Sequence, residues 1–396
     1  MIPAPSCIPA PSRRLRAGFL EACARIETGR LRLRTPEGHV HDFGTAGPGA
    51  QIEAEIRIRD WAAVSALRAR GDIGFGEGYV AGLWDAPSVE AAATLALRNE
   101  AAFGAFARPR PWTALALRAA DRVLRRNSLG GARRNVRAHY DVGNEFFGEW
   151  LDPSFTYSAA LFGGRPGDLE AAQRRKHERI LDRLGPRERL LEIGCGWGGF
   201  AERAAGRGHD VTAVTISPSQ MAFADARLDG RAEVRLCDYR ATTGRYDAVV
   251  SIDMIEAVGR RYWPVYFATL KARLAEGGRA AIQAITVPDD RFARYARGTD
   301  YIRHATLPGG MLPCRQALAE GAAQAGLRVE ETFAFGGDYA LTCRAWAGRL
   351  AARSDRLAAL GYGGPVLRHW RYYLESAAAC FATGRTDVVQ MELCHA

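Results

Sequence analysis

The strongest chemical signal in the chain is Leu190-Leu-Glu-Ile-Gly-Cys-Gly-Trp-Gly-Gly199. An apolar run there feeds glycines at 194, 196 and 198, a turn in which backbone can approach a nucleotide-like ligand at the carboxyl end of a sheet. The spacing Gly194-x-Gly196-x-Gly198 lacks the last interval of the dinucleotide fingerprint, and an acid, Glu192, sits inside the strand end. Two later segments suit the remainder of such a ligand. Thr215-Ile-Ser-Pro-Ser-Gln220 offers a hydroxyl and an amide, from Thr215 and Gln220, to ribose hydroxyls; Ser217 reads equally as the cap of a helix with Pro218 at its first position. Asp238-Tyr239 supplies an acid to accept from an adenine amino group and a ring to stack on the base. Glu256, on its own residues, is only an acid just beyond a buried strand.

Elements must hold these groups in place, and the pattern from about residue 137 supplies them. Leu190–Ile193, Val211–Ile216, Val234–Leu236, Ala248–Ile252 and Ala280–Ile285 are short apolar runs separated by amphipathic helical segments. That alternation predicts an α/β class with a Rossmann-like parallel sheet and helices on both faces. Upstream the pattern differs. Residues 1–17 read as a loose arm, Gly29 to Phe43 as a hairpin around Pro36-Glu37-Gly38, and Ile52 to Ile58 as a strand. Asp60 caps a helix through Leu67, Gly71 to Trp84 is glycine-rich and aromatic, a run that permits tight turns and close backbone approach, and 88–106 is alanine-rich and helical. A chain of 396 residues fits about two domains. The expected division is a small α+β domain over 18–105, a basic linker helix over 106–137 and a larger domain over 138–396.

The formal charge of +10 is carried almost wholly by arginine, since Lys176 and Lys271 are the only lysines. It concentrates between Arg108 and Arg137, where two readings stand: a solvated helical face, or a surface for anionic phospholipid headgroups. No recognition module accompanies these arginines, so no nucleic-acid partner is expected. The eight cysteines are scattered without metal-ligand spacing, which predicts a reducing compartment and no metal site. No run approaches the ~20 apolar residues that span a bilayer, and the proline-broken start is no signal peptide. A cytoplasmic protein touching the membrane peripherally is expected.

The order Glu192, Gly194, Gly196, Gly198 resembles the methyltransferase signature for S-adenosylmethionine. Ahead of it lie His139-Tyr-Asp-Val-Gly-Asn-Glu-Phe-Phe147 and Leu151-Asp-Pro-Ser-Phe-Thr-Tyr-Ser158, and after it Val214 to Gln220 and Met254-Ile-Glu-Ala-Val-Gly259. Together these resemble the cyclopropane-fatty-acyl-phospholipid synthases and their mycolic-acid-modifying relatives. Gly71 to Trp84 resembles the N-terminal domain of the long members, and Phe335-Gly-Gly-Asp-Tyr339 with Tyr372-Tyr373 their C-terminal part. The resemblance implies that Tyr140, Tyr157 and Ser158 close over S-adenosylmethionine, that Gly194 and Gly196 approach its amino-acid portion, and that Thr215 and Gln220 hold its ribose. It also implies that Glu256 and Tyr339 stand at the reacting centre.

The implied reaction is attack of an acyl-chain alkene on the sulfonium methyl, with water excluded. Aromatic faces of Tyr140, Trp197, Phe267 and Tyr339 are candidates to stabilise the cation that develops. In the family a bicarbonate ion, held by a cysteine, a glutamate, a histidine and a tyrosine, then takes a proton so that the ring closes. This chain keeps Glu256 and Tyr339 but has Ala159 at the cysteine position and Gln283 at the histidine position. Cyclopropanation is the leading expectation, and methyl- or methylene-branching, with a partner reductase or oxidase, the second. A non-catalytic lipid-binding protein and a methyltransferase for a soluble small molecule are the competing readings. Residues 287–313 form an insertion, either an amphipathic lid whose Phe292, Tyr295 and Ile302 line an acyl tunnel or an ordinary helix on the sheet edge. Unsaturated phospholipid at an anionic surface is the expected substrate partner, and a homodimer is left open.

Overall fold

The computed structural model describes residues 11–44, 53–104, 106–107, 131, 142–186 and 188–396. Tyr140, the arginines from Arg108 to Arg137 and the first ten residues of the expected arm lie outside the described residues. The chain falls into two compact units. One contains the described residues up to 107 together with Gly298–Thr306 and Cys343–Thr383; the other contains 142–297, Leu307–Thr342 and Gly384–Ala396. Residues 298–306 and 343–383, expected in the larger domain, therefore belong to the smaller unit.

In the smaller unit the first helix, Arg13–Ala24, begins inside the expected arm because Ser12 caps it, its Oγ accepting from Leu15 N at 3.3 Å, and because Phe19, Ala22 and Cys23 are buried. The hairpin forms as expected. Strand β1 (Arg30–Arg34) pairs antiparallel with β2 (Val40–Gly44), β3 (Glu53–Ile58) runs parallel to β1 with Ile56 opposite Leu33, and β4 (Trp84–Asp85) closes antiparallel on β3. Alternate residues Leu31, Leu33, Ala54, Ile56 and Ile58 enter the core, the period-two pattern of a half-buried sheet. Asp60 Oδ1 accepts from Ala62 N at 2.8 Å and starts the helix Ala62–Arg70. Within the glycine-rich stretch Asp72–Val80 is helical, and its glycines serve close approach more than turns. Glycine in a helix interior costs about 1 kcal/mol relative to alanine, and close packing offsets it here. A Cβ on Gly76 would lie 2.4 Å from the Tyr301 ring. Around it Tyr79 and Trp84 meet edge-on at 5.0 Å, Tyr301 and Tyr372 at 4.7 Å, and the Tyr301 hydroxyl lies 2.8 Å from His369 Nδ1.

The larger unit is built on a seven-stranded sheet of order β10-β11-β9-β8-β5-β6-β7. Its parallel strands are β5 (Arg189–Ile193), β6 (Asp210–Thr215), β7 (Glu233–Leu236), β8 (Tyr246–Ile252) and β9 (Leu274–Thr286). Two strands absent from the sequence reading, β10 (Leu327–Ala334) and β11 (Asp387–His395), complete it antiparallel. Successive side chains enter opposite cores: Leu191, Ile193 and Val249 one, Leu190, Ala213 and Val250 the other. Helices cover both faces, as an α/β sheet requires. Chain order runs outward in opposite directions from β5 and β8, which makes their carboxyl ends the switch point where such sheets open a crevice. Of the insertion, Asp289–Arg297 is a helix with no buried residue. Phe292 stacks on Trp263 at 6.2 Å, and the Tyr295 hydroxyl accepts from Leu312 N at 3.4 Å. Among the described residues no helix is long and apolar enough to cross a membrane, and no group of three His, Cys, Asp or Glu could hold a metal ion.

Candidate active site

A cavity of about 190 Å³ opens at the switch point, lined by the ends of β5, β6, β7 and β8, the turn after each, and the segment 155–158. Of the residues singled out in the sequence, Tyr157, Ser158, Glu192, Gly194, Gly196, Thr215, Gln220, Asp238 and Tyr239 line it. Gly198, Gln283, Glu256 and Tyr339 do not.

The glycine turn divides its labour. Gly196 has φ +54° and open space where a Cβ would stand, on the cavity wall. Gly198, at φ +83°, caps the helix Gly199–Gly206 and faces Ala224, whose Cβ would be 3.1 Å from an added methyl. Its role is to let two helices approach. Behind the turn the chain is fixed by backbone, Gly194 N and Cys195 N both donating to Val214 O at 2.9 and 3.0 Å. Trp197 Nε1 donates to Asn144 Oδ1 at 2.8 Å, and Phe147 packs on Trp197 and Tyr157 at 5.1 and 5.5 Å, so the segment before β5 roofs the turn with aromatic rings.

At the end of β6 the Thr215 hydroxyl donates to Gln220 Oε1 at 2.9 Å, while Ser217 caps the helix Pro218–Leu228. The cap forms as expected, and Thr215 and Gln220, bonded to each other, both line the cavity. After β7 the Asp238 carboxylate is clamped by Arg240, at 2.7 Å from Nε to Oδ1 and 2.7 Å from NH2 to Oδ2. Tyr239 lies edge-on to Tyr266 at 5.9 Å, its hydroxyl buried without a hydrogen-bond partner among the described residues.

The floor of the cavity carries titratable groups, of which the sequence reading missed Lys176 and Asp253. Lys176, wholly buried, donates to Ser158 Oγ at 2.7 Å and faces Asp253, Asp152 and Glu192; burial pushes its ammonium down to about 8, against those acids. Glu192 is pushed up to about 8 by burial, opposed by Lys176 and the Ala201 amide, and its Oε2 is buried without a partner among the described residues. Asp253 follows β8 with φ +47°, a left-handed conformation that a non-glycine residue adopts at some cost. Its Oδ1 accepts from Gln283 Nε2 at 3.0 Å and its Oδ2 from the Tyr339 hydroxyl at 3.3 Å; the Ala159 amide also hydrogen-bonds it. Burial raises it, and Lys176 and these three donors draw it back.

Glu256 stands one layer behind. Its Oε1 accepts from Ile285 N at 2.5 Å, its Oε2 has no partner among the described residues, and burial together with Asp253 raises it well above the carboxylate range. Gln283 is held in turn by Gln390, whose Nε2 donates to its Oε1 at 3.1 Å. Asp253 joins Gln283 and Tyr339, and Glu256 lies close enough to feel its charge, so the three residues that the resemblance implies at the reacting centre surround one carboxylate. Phe267 is fully buried in the core between helices and takes no part.

Likeness to known proteins bears on this arrangement. The family described as mycolic acid cyclopropane synthetase matches residues 128–391. The chain is 38% identical to a tuberculostearic acid methyltransferase of Mycobacterium tuberculosis, over 95% of this chain and 92% of that one. It is 30% identical to the cyclopropane-fatty-acyl-phospholipid synthase of Escherichia coli K12, over 83% and 84%. A mycolic acid cyclopropane synthase solved with SAH and CTAB superposes with a TM-score of 0.62 at 29% identity, covering 66% of this chain and 97% of its own. A cavity at the switch point of a seven-stranded sheet, a family match across both the glycine turn and Tyr339, and likeness over nearly the full length agree: the chain belongs to the mycolic acid cyclopropane synthetase family and is an S-adenosylmethionine-dependent methyltransferase.

Proposed function

We propose that the chain methylates a double-bond carbon of an unsaturated fatty-acyl chain carried by phospholipid, and that the product is methyl- or methylene-branched rather than a ring. The observation that carries the acyl substrate is the extent of likeness to the tuberculostearic acid methyltransferase, 95% of this chain including the N-terminal unit.

The donor pocket fits the group it must hold. Glu192 offers a buried acid oxygen with no hydrogen-bond partner among the described residues, a proton-holding group that a cationic donor would draw toward its ionised form. Gly196 leaves room for its amino-acid portion beside Gly194, which packs on Met254; Thr215 and Gln220 present polar edges for ribose, and Tyr239 with the Arg240-clamped Asp238 borders the adenine site. Tyr157 and Ser158 roof the methyl, and Tyr140 is proposed to join them. When bound, S-adenosylmethionine supplies an electrophilic methyl on sulfur. The chain's residues exclude water, fix the line of attack and accept a proton.

The substrate is drawn from an anionic membrane surface on the cytoplasmic side, to which a +10 chain is attracted. A methylene product calls for a partner reductase. Ring closure is the second reading, favoured by the family's description and by the Escherichia coli relative.

The test is incubation of the purified protein with S-adenosylmethionine and vesicles of oleoyl phosphatidylglycerol, followed by mass spectrometry of the acyl methyl esters. A gain of one methylene unit with a retained or migrated double bond is expected; a saturated ring product establishes the second reading. No mass gain, with donor binding intact by calorimetry, overturns acyl methylation.

A further inference from the structure

A methyl transfer to an alkene leaves a cation that must lose a proton, so the site needs a fixed acceptor at the cavity wall. The family's acceptor is an added bicarbonate, and the groups present here do not fit it. The Gln283 amide, the Tyr339 hydroxyl and the Ala159 amide already donate to one carboxylate, Asp253, and the Ile285 amide is taken by Glu256. Asp253 is the member of this cluster that lines the cavity; Gln283, Tyr339 and Glu256 stand behind it.

We infer that the Asp253 carboxylate is itself the proton acceptor, a side-chain anion held by Gln283, Tyr339 and Ala159 in place of an external bicarbonate. The step balances without a further reagent. The alkene π pair forms the new carbon–carbon bond, the carbon–sulfur bond breaks with its pair remaining on sulfur as a thioether, and the positive charge falls on the neighbouring chain carbon. A carbon–hydrogen bond adjacent to that cation then breaks, its pair becoming a new double bond and its proton passing to an Asp253 oxygen.

Three features fit an acceptor rather than a structural acid. The backbone is held at φ +47°, an outlier of the kind that the surrounding structure must enforce. Lys176 and the three hydrogen-bond donors stand around Asp253 and draw its carboxyl back against the rise that burial imposes, whereas burial and Asp253 together raise Glu256 well above the carboxylate range. Gln283 and Tyr339 act as positioning residues, since each donates to a different oxygen of the same carboxylate.

The inference rests on the acyl methylation proposed above, and its test separates the two. Asp253→Asn keeps the size and removes the acceptor; Asp253→Gly suits the positive φ and opens space for a small anion. Wild-type protein in carbon-dioxide-free buffer is expected to keep its full rate and to leave the carbon-13 signal of labelled bicarbonate unbroadened. Asp253→Asn is expected to lose about a hundredfold or more in product formation while S-adenosylhomocysteine binding stays within about threefold by calorimetry. Asp253→Gly is expected to broaden the bicarbonate signal and to regain activity with bicarbonate or formate but not chloride. A wild-type rate that falls tenfold without bicarbonate, an Asp253→Asn variant that keeps its rate, or an Asp253→Gly variant restored by neither anion overturns the inference. Wild-type protein that methylates no acyl chain under any buffer instead overturns the proposed function, and the bicarbonate signal still reads the cradle.

Discussion

Two glycines two residues apart separate binding from stability. Gly196→Ala puts a methyl into open cavity space at φ +54°, so its expected cost is about tenfold or more in S-adenosylhomocysteine affinity, with a left-handed penalty of about 1–2 kcal/mol in stability. Gly198→Ala meets Ala224 at 3.1 Å and φ +83° at once, and it is expected to lower the melting temperature more while changing affinity less. Calorimetry and thermal melts on both variants read the contrast; equal affinity losses would remove Gly196 from the binding wall. Glu192 carries the pH prediction. Because its folded value is raised to about 8 from 4.5, the fold keeps a proton that the unfolded chain gives up, and the stability present at low pH is lost as pH rises toward 8. His177 and His369, both pushed down by burial, oppose the fall near pH 6.5, where the unfolded imidazoles are still partly protonated, and Lys176, lowered to about 8, opposes it as pH nears 8, so the decline is steepest between those limits. Urea melts across that window should show stability declining, and Glu192→Gln should flatten the slope in part, since Asp72, raised to about 7, acts in the same direction. The glycine turn, Thr215, Gln220 and Tyr339 were legible because motif or resemblance marks them. Asp253 and Lys176 were not. One is an acid at a strand end like many others, the other a lysine on a helix otherwise rich in surface charge, and only burial gives either its meaning.

At the scale of elements, short apolar runs located the five parallel strands, since strands buried on both faces read as continuous apolar segments, while the helices between them were expected without bounds. Strands β10 and β11 escaped for opposite reasons. The first, Leu-Arg-Val-Glu-Glu-Thr-Phe-Ala, is an edge strand with one wet face, and the second mixes Gln390 and Glu392 into a buried ladder. Gln390 earns its burial by holding Gln283. The helix Asp72–Val80 also ran against local propensity, with glycines at 74, 76 and 78, because ring packing decides it. Gly76→Ala tests that account. A methyl 2.4 Å from the Tyr301 ring forces overpacking of about 1–3 kcal/mol, the reverse of the gain that alanine brings to an open helix. Chemical denaturation should register destabilisation; a more stable variant would mean that helix propensity, not the Tyr301 contact, governs this segment.

For the molecule as a whole, the decisive feature is that the smaller unit is assembled from three separated stretches of chain. Tyr301 and Tyr372 lie more than two hundred residues beyond Tyr79 and Trp84 and still share one core with them. Each such aromatic buries roughly 150–250 Å², so the two sets cannot be parted without exposing a large apolar surface. The solved relative covers 97% of its own chain with 66% of this one, so a family sheet stands there with much less sequence. In this chain the tail is committed to N-terminal partners. Removal of residues 1–130 is therefore expected to leave β5–β11 folded and able to bind S-adenosylhomocysteine, but with the 298–306 and 343–383 segments stripped of their core, dye-binding and prone to association. Size-exclusion chromatography and hydrophobic-dye fluorescence measure this, and Tyr301→Ser with Tyr372→Ser in the shortened chain should reduce both signals. A truncated protein that stays monomeric, binds no dye and methylates at the full-length rate would mean that the 298–306 and 343–383 segments form a core of their own, in which the rings of Tyr79 and Trp84 are dispensable.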